Sequence, residues 1–460
     1  MQKRKTLGII LALAWPTVLE QILNTATQYV DSAMVGRLGA AATAAVGTTT
    51  TLSWLIGSSV SALGIGFLAY IAREIGANRR ENAARAAAQS VLAVLASGLL
   101  FTALALSLSG RIPVWMHAEE DIRPMASRYF FIIYSPMLLR SATIIFGTAL
   151  RAAGDTKTPM KINLMTNIIN VALNYLLIYE PATVRLFGLT VTLPGAGLGV
   201  EGAAIATAVS IAIGGARMSL ALWRHPILSP RGHSIRPDWT VLKPCLRVAL
   251  PAALQRFGTS FGYVAFSSMI NTLGTVSTAA HTIANTAESA FYIPAYGMQN
   301  ASATLSGNAY GMRDKQYMRE ISRMLLTIEV LLMMLSGALL FTFAEKMMSF
   351  FTPDAEVIRL GAKLLRMVAL SEPLYGVAII TEGILQGVGD TMSAFVFNII
   401  GMWGVRVTGT FIVIRLLGMD LTAAWGCMIA HNVLLCVMLW VRFVCGRWNP
   451  LNAPDAEGSA

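Results

Sequence analysis

Apolar runs of about 20 residues or more recur along the whole chain, separated by short polar stretches. They fall near 7–36, 44–71, 86–108, 125–149, 159–178 and 202–222, then near 244–270, 279–305, 324–343, 365–384, 394–416 and 422–444. At a helical rise of about 1.5 Å per residue each reaches across a hydrocarbon layer of about 30 Å, so the pattern predicts twelve transmembrane helices. The polar stretch from Arg224 to Lys243 is the one plausible linker. It separates an N-terminal six-helix lobe, 1–223, from a C-terminal six-helix lobe with a short polar tail, 244–460, with the linker itself at 224–243. The expected fold class is an all-α membrane protein.

Composition agrees, because a chain of 460 residues that is 55% hydrophobic and 13% charged lies outside the range of soluble proteins. The net charge of +11 brings no nucleic-acid partner with it: the basic residues sit between apolar runs and form no continuous patch. One side carries Lys3, Arg4, Lys5, Arg73, Arg79, Arg80, Arg151, Lys157, Lys161, Arg231, Arg236, Arg313, Lys315, Arg319 and Arg447, and the other is poorer in charge. The positive-inside rule then predicts a multi-pass protein of the inner (plasma) membrane with both termini and the linker cytoplasmic. The start MQKRKTLGIIL lacks a small-residue cleavage site and opens a permanent helix. Cys245, Cys427, Cys436 and Cys445 have no zinc spacing and are expected to be buried thiols.

The halves repeat one another at a constant offset of 235 residues, the separation of Pro16 from Pro251. The same offset lays Met34 to Ala45 (MVGRLGAAATAA) on Met269 to Ala280 (MINTLGTVSTAA), Gly76 on Gly311, and Leu150 to Thr156 (LRAAGDT) on Leu385 to Thr391 (LQGVGDT). Parallel six-helix repeats imply two bundles related by a pseudo-two-fold axis along the membrane normal.

A proline in the first span, VDSAMVGRLGAAATAA, the turn LRAAGDTKTP before the Asn-rich span NLMTNIINVALNYLLIY, GAAIAT in the sixth span and AAHTIANTAESAFYIPAYG in the eighth together resemble the MATE (multidrug and toxic compound extrusion) transporters, over residues 7 to 444. The resemblance implies a two-lobe antiporter coupled to sodium or protons that exports organic cations. The family often has a second acid one turn beyond its first fifth-span ligand; this chain has Asn174 after Asn170.

Asp31 is the group that most needs a purpose, because a carboxylate at bilayer depth costs about 2.5–3.5 kcal/mol on insertion scales. Asn163, Asn167, Asn170 and Asn174 recur at steps of 4, 3 and 4 and so share one helix face, either as interhelical glue or as the lining of a polar chamber. Asp31, Asn174 and Thr207 all lie about 6–9 Å below the same membrane face. Asp31, Asn170, Asn174 and Thr207 are therefore the expected ion-coupling group, a set of hard oxygen ligands. Pro16 and Glu20 are expected to be structural, with Glu20 satisfying groups near the proline kink or serving a lower vestibule.

In the C-terminal lobe Glu288, Glu372 and Glu382 are candidate substrate-binding acids, together with Asn167, Tyr134 and Met298. The first reading of Arg406, central in the eleventh span, is a structural ion pair with one of these acids. Met402, Phe291, Tyr292 and Trp403 are further candidates for an adaptable cavity. Arg140 has no evident partner, His281 and His431 are expected to be hydrogen-bonded, and the GDT turns at Gly154 and Gly389 are read as turn chemistry. Neither a nucleotide loop nor a nucleophile constellation occurs, so no enzyme is expected. A channel or scaffold without coupling, or a lipid-linked precursor flippase, is the alternative. The expected partners are organic cations and the bilayer, with the chain a monomer. No metal site and no cofactor beyond the coupling Na+ or H+ is expected.

Overall fold

The structure is a computed structural model that describes residues 2–116, 118–186, 189–446, 449 and 451. Arg447 and the polar tail of the sequence reading lie outside the described residues. In the first half the elements are α1 (Gln2–Gly36), α2 (Ala40–Gly76), α3 (Arg80–Leu108), the single turn α4 (Ile112–Trp115), α5 (Arg123–Tyr134), α6 (Met137–Ala152), α7 (Lys157–Ile178), strands β1 (Ala182–Leu186) and β2 (Leu189–Leu193), and α8 (Gly199–Arg224). The second half holds α9 (Trp239–Asn271), α10 (Thr275–Met312), α11 (Lys315–Phe351), α12 (Ala355–Ala369) and α13 (Glu372–Val388). One long helix follows, with α14 (Thr391–Ile399) and α15 (Thr408–Phe411) separated and followed by π-helical stretches at Ile400–Val407 and Ile412–Leu416, and then α16 (Leu421–Val444).

Taking α5 with α6, α12 with α13, and 391–416 as single spans gives twelve helical crossings. Among the described residues seven helices, or nine with the two bent pairs, are long and apolar enough to cross a membrane by composition. The three that fall short are α7, α9 and α10, which carry buried polar residues such as Asn170, Gln255 and Glu288.

The 235-residue repeat is visible in the helix boundaries. α2 and α10 begin at 40 and 275, α3 and α11 at 80 and 315, α6 and α13 at 137 and 372. Both bent pairs break at the matching place, by 49° after Tyr134 and by 55° after Ala369. Pro136 stands at the first break and Pro373 just inside the second, where the missing N–H interrupts the ladder. Both GDT turns behave as turn chemistry: Gly154 and Gly389 take φ of +86° and +91°. Asp155 accepts from the Thr158 N–H at 3.0 Å, and Asp390 accepts from the Ser393 hydroxyl at 2.8 Å.

One element has no counterpart in the expected helical pattern, the antiparallel hairpin β1–β2, which pairs Ala182 with Leu193 and Leu186 with Leu189. Alternating Val and Thr favour extended backbone there, and Pro181 and Pro194 bracket it. The hairpin sits in the connection from α7 to α8, beyond which the constant offset is lost.

The chain divides into two compact units. One comprises residues 1–21, 68–79 and 243–460, the other 22–67 and 80–242. This differs from the lobes 1–223 and 244–460 in that the start of α1 and the end of α2 belong with the second half. Their packing explains it: Ile10 and Ala14 share a core with Met298, Leu305, Ile321 and Leu325. Thr17 donates its hydroxyl to the Gly297 carbonyl at 2.8 Å, one residue past Pro16. Gly297 has no room for a side chain, since a Cβ there would lie 2.6 Å from the Val18 Cα. The end of α2 meets α10 in a reciprocal glycine crossing: Gly76 lies on the Asn308 backbone, Gly311 lies on the Arg73 backbone, and Gly307 faces the Ala72 methyl.

Within the other unit the linker is fastened to α3. Arg85 pairs with Asp238 at 2.6 Å. Gln89 donates to the carbonyls of Ser234 and Arg236 and accepts the Asp238 N–H at 3.0 Å.

Candidate functional site

α1, α7 and α8 bring the four predicted ion-coupling residues together in the unit formed by residues 22–67 and 80–242. Asn174 donates to Asp31 Oδ1 at 2.6 Å. With its amide oriented by its surroundings, Asn170 donates to Asp31 Oδ1 at 2.8 Å and Oδ2 at 3.2 Å, while its own oxygen accepts from the Thr207 hydroxyl at 3.2 Å. Asn170 and Asn174 are buried, whereas Asp31 and Thr207 are half-buried. The depth arithmetic works because helices of one bundle run side by side, so residues equally far from one membrane face meet when their faces point inward.

Asn174 Oδ1 is buried without a hydrogen-bond donor. Asp31 thus sits beside a carbonyl oxygen that itself needs a positive or hydrogen-bearing neighbour. Hydrogen-bond donors and small hard cations are the chemistry that such an oxygen takes. Among the described residues no group of three or more His, Cys, Asp or Glu side chains could hold a metal ion.

Asn167 is not free to face a cavity: it donates to Asn24 Oδ1 of α1 at 3.0 Å. That places it among the helix-joining amides. Asn24 was not singled out from the sequence, although its place on a membrane helix is a signal of the same kind as the α7 stripe. Tyr134 is buried and stacks on Phe130 at 4.3 Å, and Arg140 lies over the Tyr134 ring at 6.0 Å. Arg140 therefore has an aromatic partner that sequence spacing did not reveal.

In the other unit, Glu288 on α10 and Glu372 at the start of α13 are both buried. Tyr292 packs edge-on against Tyr296 and Tyr375 at 5.9 and 5.7 Å, and the Tyr296 and Tyr375 hydroxyls are 3.2 Å apart. Both Glu372 oxygens lack a hydrogen-bond partner among the described residues, and so do both oxygens of Glu329 on α11. Glu329 was missed, although an acid inside LLTIEVLLMM is as conspicuous as Asp31.

Glu382 is differently placed. Gln255 of α9 and Gln386 of α13 donate to its Oε1 at 2.9 and 3.0 Å, and Asn398 of α14 to its Oε2 at 3.3 Å. Its carboxyl joins three helices.

Arg406 makes no close ion pair with an acid among the described residues, although it interacts electrostatically with Glu288. Its Nη2 donates to Asn432 Oδ1 at 3.4 Å and its guanidinium lies 5.4 Å from the Phe266 ring centre. An amide and an aromatic face stand nearest the charge, within the π-helical stretch that widens the helix at this level. Met298 also departs from its assignment, since it packs in the core with Ile10 and Ala14. Pro16 and Glu20 lie on the buried part of α1, with Glu20 5% exposed. His281 accepts from the Trp425 indole N–H at 3.2 Å, but both His431 nitrogens are buried without partners, contrary to expectation. Cys245 and Cys436 are buried as expected, Cys427 is half-buried, and Cys445 is exposed.

Comparison with known proteins adds the family. A relative in Thermotoga maritima described as probable multidrug resistance protein NorM is 27% identical over 439 residues, covering 95% of this chain and 92% of that protein. Probable multidrug resistance protein YoeA of Bacillus subtilis is 24% identical over 421 residues, covering 89% and 87%. Among solved structures, an outward-facing multidrug resistance MATE family transporter of the MOP superfamily superimposes with a TM-score of 0.88 at 23% identity, over 97% of this chain and 96% of that one. A MOP superfamily transporter from Pyrococcus furiosus, described as having reversed binding-pocket polarity, superimposes with a TM-score of 0.85 at 22% identity, over 96% of each chain. The MatE family model matches twice, at residues 16–176 and 251–412, once in each of the repeats whose helix boundaries coincide. With the model covering most of the chain, this is a multi-pass membrane transporter of the MATE family and not an enzyme.

Proposed function

We propose that the protein is a secondary active antiporter that exports organic cations in exchange for Na+ or H+ by alternating access. The observation that carries this reading is the cluster of Asp31, Asn170, Asn174 and Thr207, in which one carboxylate is surrounded by neutral hydrogen-bonding groups and the Asn174 oxygen lacks a donor. Binding of a cation or proton neutralises Asp31 and supplies that donor or charge. The N–H groups of Asn170 and Asn174 then hold a weaker acceptor, and α1, whose ladder Pro16 interrupts, repacks against α7. Coupling follows if the two packings of α1 differ in affinity for the cargo, since an ion moves an equilibrium only by its differential affinity.

Cargo recognition belongs, on this reading, to the other unit, where Glu288 and Glu372 accompany Tyr292, Tyr296 and Tyr375. A cation finds there both carboxylates and ring faces. The relatives named for multidrug resistance support a cargo class of drug-like compounds. On this reading the protein acts as a monomer in the cell membrane, and the distribution of Lys and Arg between its loops supports a cytoplasmic side for both termini.

The test is efflux of a fluorescent organic cation from inverted vesicles under an imposed sodium or proton gradient. Asp31→Asn should abolish gradient-driven efflux in protein that inserts normally, Asn174→Ala should weaken ion dependence, and Glu288→Gln should raise the apparent KM while leaving the gradient response in place. Full ion-dependent efflux by Asp31→Asn, with its loss in Glu288→Gln, would move the coupling site to the other unit.

A further inference from the structure

The first turns of α11 border an open groove of about 580 Å³. Leu7 of α1 lines it, together with Gln316, Arg319, Glu320, Arg323 and Ile328 of α11. Its two helices belong to the same compact unit and share a core through Ile10, Ala14, Ile321 and Leu325, so its walls are held in place.

Three properties define what fits. Arg319 and Arg323 are one helical turn apart and exposed, and neither side chain makes an ion pair or hydrogen bond to any described residue. Glu320, between them in sequence, lines the same groove and has a buried Oε1 without a hydrogen-bond partner. Further along α11 the arginine stripe continues at steps of four as Thr327, Leu331 and Leu335, with both leucines exposed. The Thr327 hydroxyl is taken up by the Arg323 carbonyl at 2.8 Å, so it asks nothing of a ligand. On α1 the exposed side chains Leu7, Leu11 and Trp15 repeat at the same spacing. The groove thus has two free cations and one acid where α11 begins, and apolar tracks leading from there into the bilayer.

We propose that this groove is a binding site for phosphatidylethanolamine. Its phosphodiester bridges Arg319 and Arg323, its ammonium faces Glu320, and an acyl chain runs along Thr327, Leu331 and Leu335. Guanidinium groups suit phosphate oxygens, and a basic pocket beside a transmembrane helix is a natural headgroup site. The acid distinguishes among headgroups. A purely anionic lipid such as phosphatidylglycerol brings no cation to Glu320, and the trimethylammonium of phosphatidylcholine has no N–H to donate.

Native mass spectrometry of the full-length protein in detergent tests this, with phosphatidylethanolamine, phosphatidylcholine and phosphatidylglycerol of identical acyl chains titrated separately. The wild type should retain phosphatidylethanolamine about tenfold more tightly than either competitor, a difference of about 1.4 kcal/mol. Replacing both arginines, Arg319→Gln with Arg323→Gln, should bring its retention down to that of phosphatidylcholine. Glu320→Gln should keep phosphate-driven binding but erase the preference among the three lipids, while Arg359→Gln, on α12 and outside the groove, should leave the preference unchanged. Equal retention of all three lipids by the wild type overturns the proposal. So does tighter binding of phosphatidylglycerol, which marks a site for anionic lipid only, and so does a Glu320→Gln variant with its preference intact. If the double arginine variant does not fold, Glu320→Gln decides alone.

Discussion

Replacing Gly76 by alanine puts a methyl group into one of the tightest contacts between α2 and α10. A Cβ at Gly76 would lie 2.8 Å from the Asn308 Cα and closer still to its carbonyl, and one at Gly311 would lie 2.8 Å from the Ala77 nitrogen. These neighbours are backbone atoms, so relief requires a shift of a whole helix, and overpacking of this kind costs about 1–3 kcal/mol. Against that stands at most the gain of about 1 kcal/mol that alanine brings over glycine in a helix interior, and Gly76, the last residue of α2, realises less of it. Gly57, on the same helix, separates the two effects because a Cβ there meets nothing within 4 Å. Gly57→Ala should therefore leave the protein as stable or slightly more so, and Gly76→Ala should fall below it by about 1–3 kcal/mol. Thermal unfolding of the purified protein in detergent measures the difference. Because the two glycines relieve one crossing reciprocally, Gly76→Ala combined with Gly311→Ala should cost clearly less than the sum of the single changes. Equal stability of Gly57→Ala and Gly76→Ala, or a strictly additive double variant, would refute the argument.

The linker clasp gives a pH prediction: the Thr240 hydroxyl, followed by its N–H and Arg85, holds the Asp238 carboxyl below the usual aspartate range. A depressed carboxyl contributes stability above its unfolded pKa and loses it as pH falls through the folded value, so limited proteolysis between Ser229 and Asp238 should be slow near neutral pH and accelerate below the ordinary aspartate range. Asp238→Asn should cleave at one rate across that window; a wild-type rate independent of acidification counts against the clasp. For the Asn24–Asn167 bond, a double-mutant cycle with Asn24→Leu and Asn167→Leu should return a coupling of about 0.6 kcal/mol, and no more than about 1.7. Zero coupling would mean that the bond adds nothing to α1–α7 association.

Much of this architecture was legible because membrane helices declare themselves by length and apolarity, and because the repeat fixes many boundaries twice. The Asp31 cluster was legible for a related reason: depth along parallel helices can be counted from their ends. What could not be counted was which helix faces which. Arg406 was assigned an acid because a charge in a bilayer needs a partner, and Glu288 does act on it at longer range, but its nearest neighbours Asn432 and Phe266 are neutral, and nothing in the spacing of α16 marks Asn432 as the one that meets it. Met298 was assigned to a cavity on residue type alone, and the neighbours that bury it, Ile10 and Ala14, come from the other end of the chain. The β1–β2 hairpin was passed over because its ten strand residues fall in a connection, where apolar run length carries no information.

The glycine crossing of α2 and α10 also bears on descent. Gly76 and Gly311 are repeat mates, as are Arg73 and Asn308, and each glycine rests on the mate of the residue that receives the other; Ala72 and Gly307, mates themselves, touch each other. This is the signature of an isologous contact between two identical chains, with one pair of mates at the symmetry axis. An ancestral six-helix protein pairing with a second copy of itself would have formed it from a single glycine position, and gene fusion would have placed both copies in one chain. The crossing itself leaves Arg73 and Asn308 free to differ, because the glycines meet only their backbone atoms, and it asks for glycine at both mates that touch them.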